Sequence, residues 1–179
     1  MPGSSPPYLR VLLEPVSEAD RALIDGLAQF YIYDFSEMSP IGDTEFAFDV
    51  AGSFSKLPGI DDYWGQEGAH ALVIRCDGRA AGFVLINTSS HRDGGEVERN
   101  MGEFFVARQY RRNGVATEAV RQVLERYPGD WEVAVVERNA AAKTFWPRAI
   151  AAAPNVTRLV RVEADGEQWR GPIWCFNAA

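Results

Sequence analysis

The segment Glu103-Phe-Phe-Val-Ala-Arg-Gln-Tyr-Arg-Arg-Asn-Gly-Val-Ala116 constrains this chain more than any other stretch. A short apolar run, a basic turn with one glycine and the start of a helical pattern follow one another within it. That order predicts a strand leading through a tight turn into a helix packed on a sheet. The turn leaves backbone N–H groups unpaired at the helix start, where the helix dipole favours negative charge. Arg108, Arg111 and Arg112 cluster just before the helix, where charge-assisted bonds to phosphate are strong. Gly114 and Ala116 carry little or no side chain, so a ligand can approach the backbone closely. Thr117 adds a hydroxyl in the first turn. No Gly-Lys-Ser/Thr follows, which excludes a nucleotide P-loop, and the glycine pattern of a dinucleotide fingerprint is incomplete. Two readings of the loop remain: a structural strand-to-helix turn, or a cradle for pyrophosphate.

With 179 residues, 46% of them hydrophobic, one domain over 8–179 is expected, behind a disordered tail over 1–7. The net charge of −7 lacks the basic footprint of a non-specific nucleic-acid binder. No apolar run approaches membrane-spanning length. The start, Met-Pro-Gly-Ser-Ser-Pro-Pro, is not a secretory signal. Neither a nucleic acid nor a membrane is therefore expected as partner. Cys76 and Cys175 sit in separate strand-like runs and read as free thiols of a reducing, cytoplasmic compartment. With His70 and His91 they show no metal-ligand spacing, so no metal is expected.

Strand character covers 8–14. Ser17 reads as an N-cap with Asp20 as a weak capping-box partner, and Leu23, Leu27, Phe30 and Tyr31 at helical spacing predict a helix over 18–33. The segment 34–68 reads as irregular, with one or two short helices, and a loop this long is usually functional. Strands over 69–76 and 79–88 flank the hairpin turn Asp77-Gly78, and a third strand covers 97–106. Val115, Ala119, Val120, Val123 and Leu124 form one apolar stripe of a helix that Pro128-Gly129 stops. A strand over 131–137, a helix over 139–150 and a hairpin over 156–163 and 169–176 complete the chain. This order gives an α/β (α+β) fold, a mixed sheet with helices packed on it.

Three motifs carry a family likeness: Phe104-Phe105-Val106-x-x-x-Tyr110-Arg111, Arg111-x-x-Gly114-x-Ala116, and Asn139-Ala-Ala-Ala142-Lys-Thr-Phe145-Trp146 after a later strand. Together they resemble the GNAT superfamily of acyl-CoA-dependent N-acyltransferases. The resemblance is specific over 101–146, and the element order agrees over about 8–177; segments 34–68 and 147–156 carry little of it. It implies a largely antiparallel central sheet with helices on both faces, splayed between the strands at 97–106 and 131–137. It also implies acetyl-CoA as co-substrate, its pyrophosphate held by Arg111, Arg112, Asn113, Gly114, Val115, Ala116 and Thr117. The pantetheine arm would pair with the backbone of Phe104, Phe105 and Val106, and the Val106 N–H would polarise the thioester oxygen. Asn139 would contact the arm, its alternative being an ordinary helix N-cap. The closing hairpin, 156–177, becomes a candidate homodimer surface.

The implied acceptor is an amine on a small molecule or peptide. A lysine-like amine, with a pKa near ~10.4, is neutral in only about one molecule in 10³ at pH 7. Glu103 is the first candidate for a general base, with a solvated or salt-bridged strand residue as the alternative. Strand alternation predicts Met101, Glu103 and Phe105 on one face. Glu98, Asp34 and Asp62 are weaker candidates. Tyr31, Tyr33, Asp34 and Tyr63 are candidates for the acceptor wall, against plain core packing. Many family members carry a tyrosine seven residues after the asparagine to protonate the leaving thiolate; here Trp146 stands in its place, read as packing on the arm. The competing readings are a different acyl chain or an O-acceptor, a silent coenzyme A-binding domain, and an α/β interaction module.

Overall fold

A computed structural model describes residues 9–92 and 95–179; the tail expected over 1–7 lies outside them. Seven strands form one sheet in the order β1-β2-β3-β4-β5-β7-β6. They are β1 (Val11–Pro15), β2 (His70–Cys76), β3 (Arg79–Ser89), β4 (Glu96–Val106), β5 (Gly129–Ala134), β6 (Val156–Asp165) and β7 (Arg170–Ala178). Every neighbouring pair is antiparallel except β4 and β5. Asp77 and Gly78, both at positive φ, make the tight turn between β2 and β3 that an Asp-Gly pair favours.

Helices cover both faces. On one face lie α2 (Val115–Arg126) and α3 (Ala140–Ala151), packed over Leu72, Ile74, Val84, Ile86 and Trp131. Val115, Ala119, Val120, Val123 and Leu124 are all buried, so the stripe read from the sequence is the packed face. On the other face lies α1 (Ala22–Ser36), over Val73, Phe83, Leu85 and Phe105. Its buried stripe is Ile24, Ala28 and Ile32, spaced by four, and Phe30 points outward. The helix begins four residues later than the pattern suggests, because 18–20 form a separate 3-10 turn, and it ends three residues later, at Ser36. Ser17 does not cap a backbone N–H there; its hydroxyl bonds the Asp20 carboxylate at 2.7 Å. The segment between α1 and β2 contains two short 3-10 turns, Thr44–Phe46 and Ile60–Trp64.

One irregularity shapes β4. Leu85 pairs with Glu103, but its neighbour Ile86 pairs with Met101, so Gly102 bulges out of register. The bulge reverses the alternation. Met101 joins the core under α2 and α3, while Phe105 joins the core under α1. The expectation that Met101, Glu103 and Phe105 share a face therefore fails at one residue. Gly102 is there because nothing larger fits: a Cβ would lie 2.1 Å from the Tyr63 hydroxyl and 2.8 Å from Asn87 Nδ2. Gly102→Ala should cost roughly 1–3 kcal/mol of stability, read from denaturant unfolding midpoints. An unchanged midpoint would contradict the close approach.

Candidate active site

β4 and β5 are joined at Arg99–Trp131 and Asn100–Glu132, and beyond those pairs the two strands diverge. The gap opens into a cavity of about 540 Å³. Phe104 stands on one wall and Val133, Ala134 and Val135 on the other, with Asn139 and Trp146 of α3 beside them. β5 ends at Ala134 rather than at 137, as the sequence had suggested, although the Val135 and Glu137 N–H groups still donate to the Pro172 and Arg170 carbonyls at 3.0 and 3.2 Å; Val135 and Val136 line the opening.

The register decides which backbone groups face this gap. The Ala107 N–H donates to the Ala81 carbonyl at 2.8 Å. By alternation, Phe105 and Glu103 also turn their backbone groups toward β3, and Phe104 and Val106 turn theirs toward the gap. The Val106 carbonyl accepts from Arg111 Nε at 2.6 Å. The Phe104 edge and the Val106 N–H are left to meet an extended ligand, as an added strand would.

The basic turn follows. Arg112 and Gly114 both have positive φ, 62° and 80°. That geometry is cheap for glycine and brings the chain into α2 through a tight turn. The N-cap is Gly114, and no side chain caps the helix. The first-turn N–H groups of Val115, Ala116 and Thr117 therefore point outward from a dipole-positive end. Open space surrounds Gly114 on its Cβ side. The residues present thus fit an anionic pyrophosphate, with Arg112 and Asn113 exposed beside it.

Glu103 lies on the α1 face of the bulge and lines the same cavity. Tyr31 of α1 donates its hydroxyl to Glu103 Oε2 at 2.5 Å. Burial pushes the Glu103 carboxyl up to about 7, against the lowering effect of the Tyr31 bond. Burial, and then the adjacent carboxylate, hold the Tyr31 phenol well above its ordinary value, so it stays a donor. A carboxyl that titrates near neutrality on a cleft wall can exchange protons with an amine.

The other expected residues divide. Tyr31 lines the cavity. Tyr63 does not; it sits behind Gly102, where its hydroxyl accepts from Asn87 Nδ2 at 2.9 Å. Tyr33 faces outward beside Phe54. Asp34 lies in the last turn of α1, and it pairs with Arg108 at 2.8 Å and with Arg111. Its charge serves the basic turn, so among these four only Tyr31 lines the cavity. Asn139 both lines the cavity and caps α3, its Oδ1 accepting from the Ala142 N–H at 2.9 Å. Trp146 is buried against Phe104, ring centroids 5.1 Å apart, with only an edge left to the cavity.

Sequence reasoning missed His91, Asn100, Glu132 and Trp169. His91 and Trp169 line the cavity from two connections. Glu132 is buried and accepts from Ser90 Oγ, the His91 N–H and Arg92 Nε. A signal existed for Glu132, a lone acid within the apolar run 131–136. Among the described residues, no group of three or more His, Cys, Asp or Glu side chains is placed to hold a metal. Both cysteines are free thiols, and no described helix is long and apolar enough to cross a membrane.

The raised Glu103 pKa has a consequence for folding. Its ordinary value is 4.5 and its folded value about 7, so the folded chain holds the proton more tightly than the unfolded chain. The associated stability is fully present below pH ~4.5 and is lost as pH rises through about 7, by up to roughly 3 kcal/mol. Glu103→Gln should flatten this part of the stability–pH curve. An equally steep curve in the variant would place the titration elsewhere.

With this geometry in view, the chain can be set beside known proteins. Residues 34–150 match the family model described as acetyltransferase (GNAT) family. No curated protein matches the sequence. Among solved structures, an acetyltransferase from Thermus thermophilus superposes with a TM-score of 0.64 at 12% identity, covering 96% of this chain and 99% of the other. A Staphylococcus aureus acetyltransferase of the GNAT family gives 0.56 at 8% identity, covering 94% and 99%. A Vibrio cholerae spermidine N-acetyltransferase chimera gives 0.53 at 11% identity, covering 93% of each. At such identities the likeness speaks for the fold, and the matched family model covers most of the chain. The protein belongs to the acetyltransferase (GNAT) family.

Proposed function

We propose that the protein is an acetyl-CoA-dependent N-acetyltransferase that joins acetyl donor and amine in one ternary complex. The carrying observation is that Glu103 shares a single cleft with the unpaired edge of β4, which leads on through the basic turn to the uncapped start of α2. Neighbours of the same fold include a spermidine N-acetyltransferase, which supports an amine acceptor. Acetyl-CoA would supply an already activated acyl group, so no covalent enzyme intermediate is needed.

Val115, Ala116 and Thr117 would bind the pyrophosphate through backbone N–H groups, with Arg112 adding charge. Phe104 and Val106 would orient the arm, and the Val106 N–H would polarise the thioester carbonyl. Glu103 would take one proton from the acceptor ammonium, directly or through water. Freeing that lone pair costs roughly 4–5 kcal/mol for a lysine-like amine. Orientation in the cleft can contribute as much as ~7–11 kcal/mol, so positioning outweighs proton transfer. Trp146 cannot act as an acid, yet none is needed from α3. Protonated Glu103, near 7, is a stronger acid than a thiol near ~8.5 and can return the proton to the departing sulfur, while the second proton that the nitrogen loses on forming the amide would pass to water. The open cavity also favours an active enzyme over a silent coenzyme A-binding domain: Phe46 lines the cavity without closing it, and Tyr33 and Trp64 lie outside.

Two measurements test this. Gly114→Asp introduces a side chain at positive φ and a negative charge at the pyrophosphate, and should weaken coenzyme A binding by about 100-fold or more while the fold persists. Normal binding by that variant would remove the loop assignment. In a coenzyme A-release assay with a panel of amines, the rate should rise with pH through about 7. Glu103→Gln should lower it by ~10²–10⁴-fold at neutral pH and abolish that limb. A variant that keeps both rate and limb rules Glu103 out.

A further inference from the structure

Residues 37–69 join α1 to β2 and reach the cavity wall twice, at 44–46 and at 55–58. Side chains of other elements hold them there. Gln29 of α1 donates from Nε2 to the Phe54 carbonyl at 3.3 Å, and its Oε1 accepts the Phe54 N–H at 2.9 Å. Both backbone groups of Phe54 are thus fixed by one helical side chain, directly before the stretch 55–58. Arg138 of the β5–α3 connection lies over the Phe46 ring at 5.8 Å. Further along, Ile60 and Tyr63 belong to the core under α1, and Trp64 Nε1 donates to the Val16 carbonyl at 2.9 Å. Held at these points, the segment sets Phe46, Leu57 and Pro58 on the cavity wall together with Phe35 of α1. The carrier's arm is assigned to the β4 edge and the β5–α3 wall. The wall made by α1 and this segment, which Glu103 shares, is left for the acceptor.

The charges on the wall are unevenly placed. Glu103 is withdrawn from water, which is what raises its carboxyl. The other charged side chains of the wall among the described residues, Glu45 and Lys56, are exposed, and Lys56 Nζ already lies 3.7 Å from Asp61. Arg108 and Arg111 are paired with Asp34 and do not line the cavity. Burial holds the His91 imidazole below its ordinary pKa, although Glu132 and Asn100 pull the other way, so it adds no cation at pH 7.

These placements sort the acceptors. A carboxylate on the carbon next to the amine would stand close to Glu103, with no withdrawn cation to meet it, and an unpaired charge is costly to bury. A second ammonium would find a free carboxylate only at Glu45, in solvent. An exposed ion pair there strengthens binding by no more than about fivefold. Burying an aromatic or branched apolar body against Phe35, Phe46, Leu57 and Pro58 strengthens it by about tenfold to a hundredfold. The apolar contribution is the larger, and a second charge lying against the same wall would forfeit it.

We propose that Phe35, Phe46, Leu57 and Pro58 form a subsite for the apolar body of the acceptor, so that the preferred acceptors are primary amines on an aryl or alkyl body without a carboxylate or a second ammonium. This rests on the acetyltransferase reading and narrows its substrate class. The test is a calorimetric titration of the protein saturated with coenzyme A, using amines in matched pairs. With only a ring added, 2-phenylethylamine should bind at least about tenfold more tightly than ethylamine. With only a carboxylate added, phenylalanine should bind at least about tenfold more weakly than 2-phenylethylamine. With only an ammonium added, 1,5-diaminopentane should bind at least about threefold more weakly than pentylamine. Phe46 is half-buried in a short 3-10 turn, so Phe46→Ala should keep the fold by circular dichroism and cut the advantage of the ring by about three- to tenfold. Phenylalanine or the diamine binding as tightly as its apolar partner would overturn the inference. So would a ring advantage that Phe46→Ala leaves intact, or no binding by either apolar amine. The two readings fail separately. Tight binding of the apolar amines without acetyl transfer to them from acetyl-CoA would sink the transferase reading alone, whereas acetylation of phenylalanine and 1,5-diaminopentane as readily as of their partners would sink the apolar subsite alone.

Discussion

β4 and β5 keep register at Arg99–Trp131 and Asn100–Glu132, then part. An unpaired strand edge inside a sheet is costly unless something else meets its N–H and C=O groups. Here the edge borders a cavity, and the residues that follow it turn directly into an uncapped helix start. The bulge at Gly102 acts on the same few residues. By reversing the alternation it places Glu103 on the α1 face against Tyr31, while Met101 stays in the opposite core. Without the bulge, a charged side chain would point into the apolar layer under α2 and α3.

Helix α1 ties these parts together. Tyr31 holds the Glu103 carboxylate, and one turn on, Asp34 pairs with Arg108 and Arg111. Arg111 in turn holds the Val106 carbonyl and lies over the Phe105 ring at 5.7 Å. The candidate base and the basic turn are thereby referred to one rigid element. Ion pairs as exposed as that of Arg108 contribute little to stability, so the role of this set is geometric.

Local patterns made much of this legible. The Asp77-Gly78 turn, the α2 stripe and the strand-turn-helix over 103–116 each follow from short-range physics, and each appears in the fold. The family likeness over 101–146 supplied the splay. Features that depend on register were hidden. A bulge moves one residue, and nothing in Met101-Gly102-Glu103 separates a bulged glycine from one in a regular strand. Asp34 looked available to an amine because its arginine partners lie more than 70 positions away. Tyr33 and Tyr63 are like Tyr31 in composition, and only the packing of α1 and the 60–64 turn separates them. The His91–Trp169 contact joins two connections remote in sequence, which no periodicity could bring together.

The central claim is that the β4 edge and the start of α2 hold one extended, phosphate-bearing thioester carrier. Amide hydrogen exchange resolved by residue, measured with and without coenzyme A, tests it most directly. The account predicts slowed exchange at Phe104, Val106, Val115, Ala116 and Thr117, with little change along β6 and β7. Protection that appears elsewhere, or unchanged exchange at these five amides under saturating coenzyme A, would contradict it.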